Sequence, residues 1–564
     1  MRRFLIHAPI LSAALFLVLG MPTRSLAEPI AHPVAPDHLS DEDLSATVPD
    51  GAGGAYIGFR GRPAFLYDPP GRFVAHIGPD GMADPSWTVV ELQGFHPQQS
   101  AAPVAIAPGR QGRVWVGGDL YFASHPANPL ARAVGELGAT VPDSSITPGH
   151  DFLFLSLTAL PGERVFIAGT QSMTAGIAQV GYIEADGTPI DAPSSIQLPG
   201  PLPTAGYFGP GPPAIPDGAG GAWVVFAYNV GDNQDQGLCA ARIGPAGGSV
   251  IVPALRNIST TASNQEQPVL APDGVAGLFI AWTDRRDLTK AGDIYCTHLL
   301  ADGSLAPGWP LQGRAIASIA GDQLQPSIAA DGSGGAWIAW TDSRTGADDI
   351  YFTHIAGDGT PRAGFVTGGK PLCAAPGIQD VVQAVADGEG GIYAVWLDQR
   401  NGGVDLFGQH IHSTGVIMPG WAADGLPIST EASDQSSPSV VLSSLHHALA
   451  TWTDRRTGYP KVYAAVLPPD GETTAVPPPV VAGLSLAPVA NPSRGGVELR
   501  VSSPEDGPVR VTLLDVSGRV RAEQVIEGPL RDQRVRFDAP GPGLFFLRAE
   551  QRGALASGRV AVVR

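Results

Sequence analysis

The chain has 564 residues, more than one ordinary core supports, so it calls for a repeat architecture or several domains. Its formal net charge of −18 excludes a nucleic-acid partner, which needs a basic footprint, and three cysteines (Cys239, Cys296, Cys373) exclude a disulfide framework. The 72 glycines and 54 prolines suit many short strands joined by tight turns, and no long stretch has apolar residues at period 3.6.

The charge is unevenly spread. Residues 28–483 carry 20 Lys and Arg against 44 Asp and Glu, a balance of −24; residues 484–564 carry 12 Arg, no Lys and 9 acids, a balance of +3. Two compositions point to two kinds of domain.

At the N-terminus, Arg2 and Arg3 precede an apolar run at Ile10–Gly20, followed by Ser25-Leu26-Ala27. This is the pattern of a secretory signal peptide over 1–27, with cleavage between Ala27 and Glu28. The run is too short to span a bilayer and no later segment is apolar enough, so no transmembrane segment is expected after signal removal.

From residue 28 to 467 one stretch recurs about every 56 residues. Its clear copies begin at Asp50, Asp217, Asp273, Asp331 and Asp387, as in DGSGGAWIAWTDSR from Asp331 to Arg344. Weaker copies fall at Pro108–Gly117, Pro161–Gly169 and Leu442–Arg456, which makes eight units. Each well-kept unit reads as four strands, for example Gln325–Ala330, Ala336–Thr341, Ile350–Ile355 and a short one near Lys370–Cys373. Asp-Gly and Gly-Gly supply the positive φ of tight hairpins. Repeated four-stranded units predict an all-β protein whose main body is a β-propeller of about eight blades, with seven as the alternative; stacked solenoids have shorter repeats. The last unit lacks its fourth strand before the chain turns proline-rich, and residues 28–42 are placed to supply it.

The repeated residues carry the candidate chemistry. Trp282, Trp340, Trp396 and Trp452 occupy matching positions on the second strand. They could form an aromatic platform for sugars, but recurrence in four units favours packing between blades. Asp284/Arg286, Asp342/Arg344, Asp398/Arg400 and Asp454/Arg456 follow at the next turn. These could form an ion or polysaccharide surface; the regular alternative is a ring of charge-assisted hydrogen bonds between turns. His298, His354 and His410 align on the third strand, but neighbouring sheets lie about 10 Å apart and His–Zn bonds are about 2 Å, so one metal cannot join them. His410/His412 and His446/His447 offer at most local sites. In Asn229–Gln236, Asp232 and Asp235 leave calcium as a candidate cofactor, although the spacing of a calcium loop is missing.

Catalytic motifs are absent from the sequence: no Gly-x-Ser-x-Gly elbow, no His-Glu-x-x-His and no Walker loop. The Asp-Gly turns differ from sialidase boxes, lacking Ser and the closing Thr-Trp at matching spacing. Nothing identifies a catalytic residue, and abundant acids alone do not supply a glycosidase pair. The reading is therefore a binding or interaction protein for a polysaccharide or protein ligand, with a glycan-active hydrolase or lyase, or a purely structural surface protein, as alternatives.

A proline-rich linker spans 468–483, and clean apolar alternation follows over 484–564, for example Val497/Leu499/Val501 and Val509/Val511/Leu513. Six or seven strands in this length suggest a small immunoglobulin-like β-sandwich. Asn491-Pro492, the Asp515–Gly518-Arg519 turn and the Pro-Gly-x strand containing Gly543 resemble the type A C-terminal sorting domain of type IX secretion cargo. The resemblance implies bacterial secretion machinery as a partner, export across the outer membrane, and release or attachment to the outer cell surface, where an unknown extracellular ligand is met.

Overall fold

The protein is described from a computed structural model. It describes residues 31–35, 39–63, 71–84, 87, 89–91, 105–108, 114–117, 131–134, 153–160, 164–172, 176–183, 194–201, 212–230, 235–245, 255–261, 263–289, 291–443, 447–456, 458–467, 469–470, 485–488, 493–494, 496–515, 519–538, 543–551 and 554–563. The signal segment with Ala27 and Glu28, most of the linker, and Asp232, His446, Asn491, Pro492 and Gly518 lie outside the described residues.

Every regular element among the described residues is a β-strand. Small antiparallel sheets follow one another, spanning 39–91, 105–134, 153–197, 214–259, 265–317, 323–373, 379–429 and 435–467. Each has four strands except the second, which has three among the described residues. The first strand of every sheet lies against the first strand of the next, and that of the last sheet, Gln435–Leu442, lies against that of the first, Leu39–Pro49. The circuit is closed, as in a β-propeller.

Closure also uses backbone pairing. His32–Pro33 supplies the outer strand of the last sheet, pairing with Ala464 and Tyr463 of Lys461–Leu467. Across the same seam Leu44 N donates to Thr453 Oγ1 (3.0 Å), Thr47 and Thr451 share a hydroxyl bond (2.7 Å), and Val462 N donates to Glu42 (2.9 Å).

The core is a series of interleaved seams. Strand Ala336–Asp342 is buried along its whole length, because both faces of its sheet meet a neighbour. Trp282, Trp340, Trp396 and Trp452 each pack with the sheet that precedes their own. Room for the ring comes from a glycine before the fourth strand. At Gly369, φ is +66° and an added Cβ would stand 2.4 Å from the Trp340 ring. Gly313 and Gly425 stand in the same relation to Trp282 and Trp396.

Residues 485–563 form a separate six-stranded sheet with its own core of Val497, Leu499, Val511, Leu513, Phe537 and Leu547, among others. Its plan differs from the expected set of short strands. Gly496–Asp515 and Val520–Asp538 run as a hairpin of 20- and 19-residue strands, so all six strands share one hydrogen-bonded network. Register shifts between Val501 and Gly507 break the long ladder where sequence alternation is interrupted by Ser-Ser-Pro. Of the sequence landmarks, Asp515 pairs with Phe545, Arg519 immediately precedes Val520, and Gly543 opens its strand opposite Val562.

Gly369→Ala combines a strained φ with a steric clash, so it should lower stability by about 2–4 kcal/mol, read from the denaturant midpoint.

Candidate functional site

The two ends of the ring differ. One carries the Asp-Gly turns joining first and second strands; the other carries the second-to-third-strand turns and the segments entering each first strand.

At the first end the repeat has a purely structural chemistry. Asp331 Oδ1 accepts from the N–H groups of Ser333 (2.7 Å) and Gly335 (2.8 Å), closing the turn, and Gly332 and Gly334 have φ of 69° and 82°. Its other oxygen, Oδ2, accepts from His354 Nε2 (2.8 Å) and Arg362 (2.7 Å). Burial raises the Asp331 pKa, but these donors outweigh it and hold it down at about 2. Asp273 and Asp387 repeat the turn with His298 and His410, Asp50 with His76, and Asp217 with Arg242. The aligned histidines are therefore partners of turn carboxylates, each stacked on a second-strand ring such as Trp337, whose centroid is 3.8 Å from His354. The interval of 23 to 26 residues between aspartate and histidine recurs in the sequence, but only the folded hairpins show that the two meet.

At the other end the Asp-x-Arg pairs close on themselves. Asp342 takes both Arg344 Nε (2.9 Å) and Nη2 (2.5 Å), and Trp340 Nε1 donates to the same carboxylate (2.7 Å). Arg344 also caps the Gly368 carbonyl (2.7 Å) and lies 3.8 Å from the Tyr351 ring centroid. Asp284/Arg286, Asp398/Arg400 and Asp454/Arg456 do the same beside Trp282, Trp396 and Trp452. In the third of these four units Cys373 takes part: Arg400 Nη2 lies 3.0 Å from its sulfur, and burial pushes the thiol pKa up to about 12. All three cysteines are buried and free.

What remains is the mouth formed by the first strands. Gln267, Gln325, Val381 and Ser437 sit at equivalent points with φ of 51° to 55°, each in a register shift of its first strand. Non-glycine residues in this region are strained and commonly mark functional surfaces. The strain is anchored across one seam, where Gln325 N donates to Thr283 Oγ1 (3.2 Å). No spacing rule in the sequence announces these bulges.

Three seams of the mouth share a link. Asn264, Asp322 and Asp434 each accept a backbone N–H from the preceding sheet, from Gln236, Ala291 and Val404. At the seam between the sheets spanning 323–373 and 379–429, Ile378 holds the matching place and cannot accept. Asp348 and Asp380 stand there instead, half-buried, and neither carboxylate shows a hydrogen bond or ion pair among the described residues. The backbone joins them, since Gln379 N donates to Asp348 O (2.7 Å). Gln379 itself is fully buried with both amide ends unsatisfied among the described residues. Burial first, then the charges of Asp322, Asp349 and Asp342, raise the Asp348 pKa; burial first, then Asp348, raise that of Asp380. The pair thus takes up protons more readily than ordinary carboxylates. The sequence reading missed it because neither acid belongs to the repeat.

Asp235 opens strand Asp235–Ile243 opposite Val230, and no group of three or more His, Cys, Asp or Glu able to hold a metal occurs among the described residues. No helix among the described residues is long and apolar enough to cross a membrane.

Replacing Asp331 with Asn should destabilise the fold by about 1–3 kcal/mol at neutral pH, because the charge-assisted bond to Arg362 and the bond to the His354 imidazole are weakened. The Asp331 contribution is complete above the unfolded value of 3.8 and is lost as pH falls toward about 2, so the gap between wild type and Asp331→Asn in urea unfolding should narrow across that window.

No known family model matches the chain, and no curated protein matches it. Distant likeness to solved structures exists. A protein of unknown function from Dyadobacter fermentans aligns at 10% identity and TM-score 0.37, over 78% of this chain and 98% of that one. A Hadza microbial sialidase aligns at 12% and 0.32, over 78% and 94%. An endo-arabinase from Bacteroides thetaiotaomicron aligns at 11% and 0.25, over 44% and 89%.

Proposed function

We propose that the chain is an exported, eight-bladed β-propeller that binds an uncharged, hydroxyl-rich ligand, in the first instance a polysaccharide, at the mouth of its ring. The propeller occupies 28–467, the linker 468–483 and an immunoglobulin-like sorting domain 484–564, which delivers it to the medium or the outer cell surface. One observation carries the binding reading: among the described residues the carboxylates of Asp348 and Asp380 stand without partners, at a mouth seam that lacks the acceptor link of the seams on either side. Repeated polar residues are already engaged in holding turns, whereas this pair is not. Acids that hold protons readily suit sugar hydroxyls, and the −24 balance of 28–483 repels acidic polymers.

The same pair supports a second reading, an extracellular glycan hydrolase. One protonated and one ionised carboxyl group in proximity is the arrangement such hydrolysis uses.

Mature protein screened against a polysaccharide panel should retain at least one neutral glycan without releasing product; release of shorter sugars would establish the hydrolase instead. Asp348→Asn with Asp380→Asn should weaken retention about tenfold or more, the loss of roughly 1.4 kcal/mol, without lowering the melting temperature. Retention equal to wild type would remove the mouth as the site. Deleting 484–564 should leave the protein inside the cell envelope, read by fractionation; unchanged surface or medium location would defeat the sorting role.

A further inference from the structure

Five turn aspartates have a cationic or imidazole partner on the third strand, yet the partners are not equivalent. Arg242 serves Asp217 and is charged at every physiological pH. His354 shares Asp331 with Arg362, so the cation there does not depend on the imidazole. His76 is different. Its Nε2 lies 2.9 Å from Asp50 Oδ2 and its Nδ1 lies 2.8 Å from Asp84 Oδ2. Both neighbours accept, so both ring nitrogens must carry protons for both bonds to exist.

The surroundings agree. Asp50 comes from the turn after the first strand, Asp84 from the loop after the third, and the titratable Tyr56 of the second strand lies against the imidazole at 4.8 Å, tilted by 35°. Trp87 covers the same site at 5.6 Å. Burial lowers the His76 pKa, but the two carboxylates outweigh it and leave it raised. Burial likewise opposes ionisation of Asp50, but His76 and the N–H groups of Ala52 and Gly54 leave its pKa lowered. Asp50 is therefore an acceptor, as the geometry requires.

The position gives this triad leverage. Asp50 begins the turn that ends strand Leu39–Pro49, and that strand makes the seam with the last sheet through Leu44, Thr47 and Glu42. We propose that His76 is a proton-operated latch on ring closure. With the imidazole doubly protonated, Asp50 and Asp84 are bridged and the closing strand is held. With one proton lost, one carboxylate faces a bare nitrogen lone pair, and the turn behind the closing strand loosens. Because the folded-state pKa is raised, the stabilisation is complete below the ordinary histidine value of 6.5 and is lost as pH rises through the folded value.

Hydrogen exchange on the mature chain tests this, with intrinsic pH effects divided out and Gln323–Ala330 as internal reference. Between about pH 6 and about pH 9, protection of Leu39–Pro49 should fall about three- to tenfold in wild type. His76→Gln should show low protection at both pH values, and His354→Gln should keep the wild-type fall. Should His76→Gln not fold, Asp84→Asn replaces it, because one lost acceptor lets a neutral imidazole satisfy Asp50 and should flatten the pH response. An unchanged wild-type protection across this range overturns the latch, as does a full response persisting in His76→Gln or Asp84→Asn.

Discussion

The buried carboxylate of the Asp-Gly turn is the interaction on which the ring depends. One oxygen of Asp331 closes the turn on two backbone N–H groups, and the other takes side-chain donors from beyond the third strand's start. A single side chain therefore sets the hairpin, ties the second hairpin to it and orients a ring that stacks in the seam. Its anionic state is sustained by these donors against a burial that opposes it. Gly335 follows from the same constraint, since a Cβ there would come within 2.3 Å of the Ile355 carbonyl. The repeat is thus a set of mutually required residues, and the rest of the sheet is apolar filling around it.

This explains what was legible in the sequence. Turn, strand and Trp positions recur because geometry demands them, so alignment alone finds the strands to within a residue or two, as at Ala336–Asp342. The roles of Asp342 and Arg344 were also readable, since a guanidinium two residues from a carboxylate has a local partner at hand. Pairings over longer spans were not. Nothing local relates His354 to Asp331 until the strands are folded together, and the bulges at Gln325 and Val381 leave no compositional mark. Asp348 and Asp380 were hidden for the opposite reason: they are departures from the repeat, and an alignment averages departures away. In the C-terminal sheet, alternation revealed strands but not their joining into a 20-residue element, because a bend within a continuous ladder resembles a loop in one dimension.

The division of labour follows from repetition itself. A residue present in every blade is under the same geometric demand in every blade, so it is poorly placed to recognise one ligand. The ring is asymmetric where Ile378 breaks the acceptor link used at neighbouring seams, and the proposed site lies there. Loss of that link exposes two acids to each other without a cation between them. The cost is borne at this seam, while the seams on either side keep the link.

Closure by His32–Pro33 has a consequence for how the molecule is made. The strand that completes the last sheet pairs with Tyr463 and Ala464, more than four hundred positions downstream. Loop-closure entropy grows only slowly with length, so the equilibrium cost is modest, but a contact of such sequence separation cannot nucleate folding. A chain emerging N-terminus first would leave the apolar face of the first sheet, with Leu44, Ile57 and Ala75, uncovered until the last sheet arrives. Assembly is therefore ordered in time: inner blades condense on neighbours already made, and the circle locks only once Lys461–Leu467 is available. Until then the molecule is an open arc, and its vulnerability to misassociation lasts as long as the chain takes to appear.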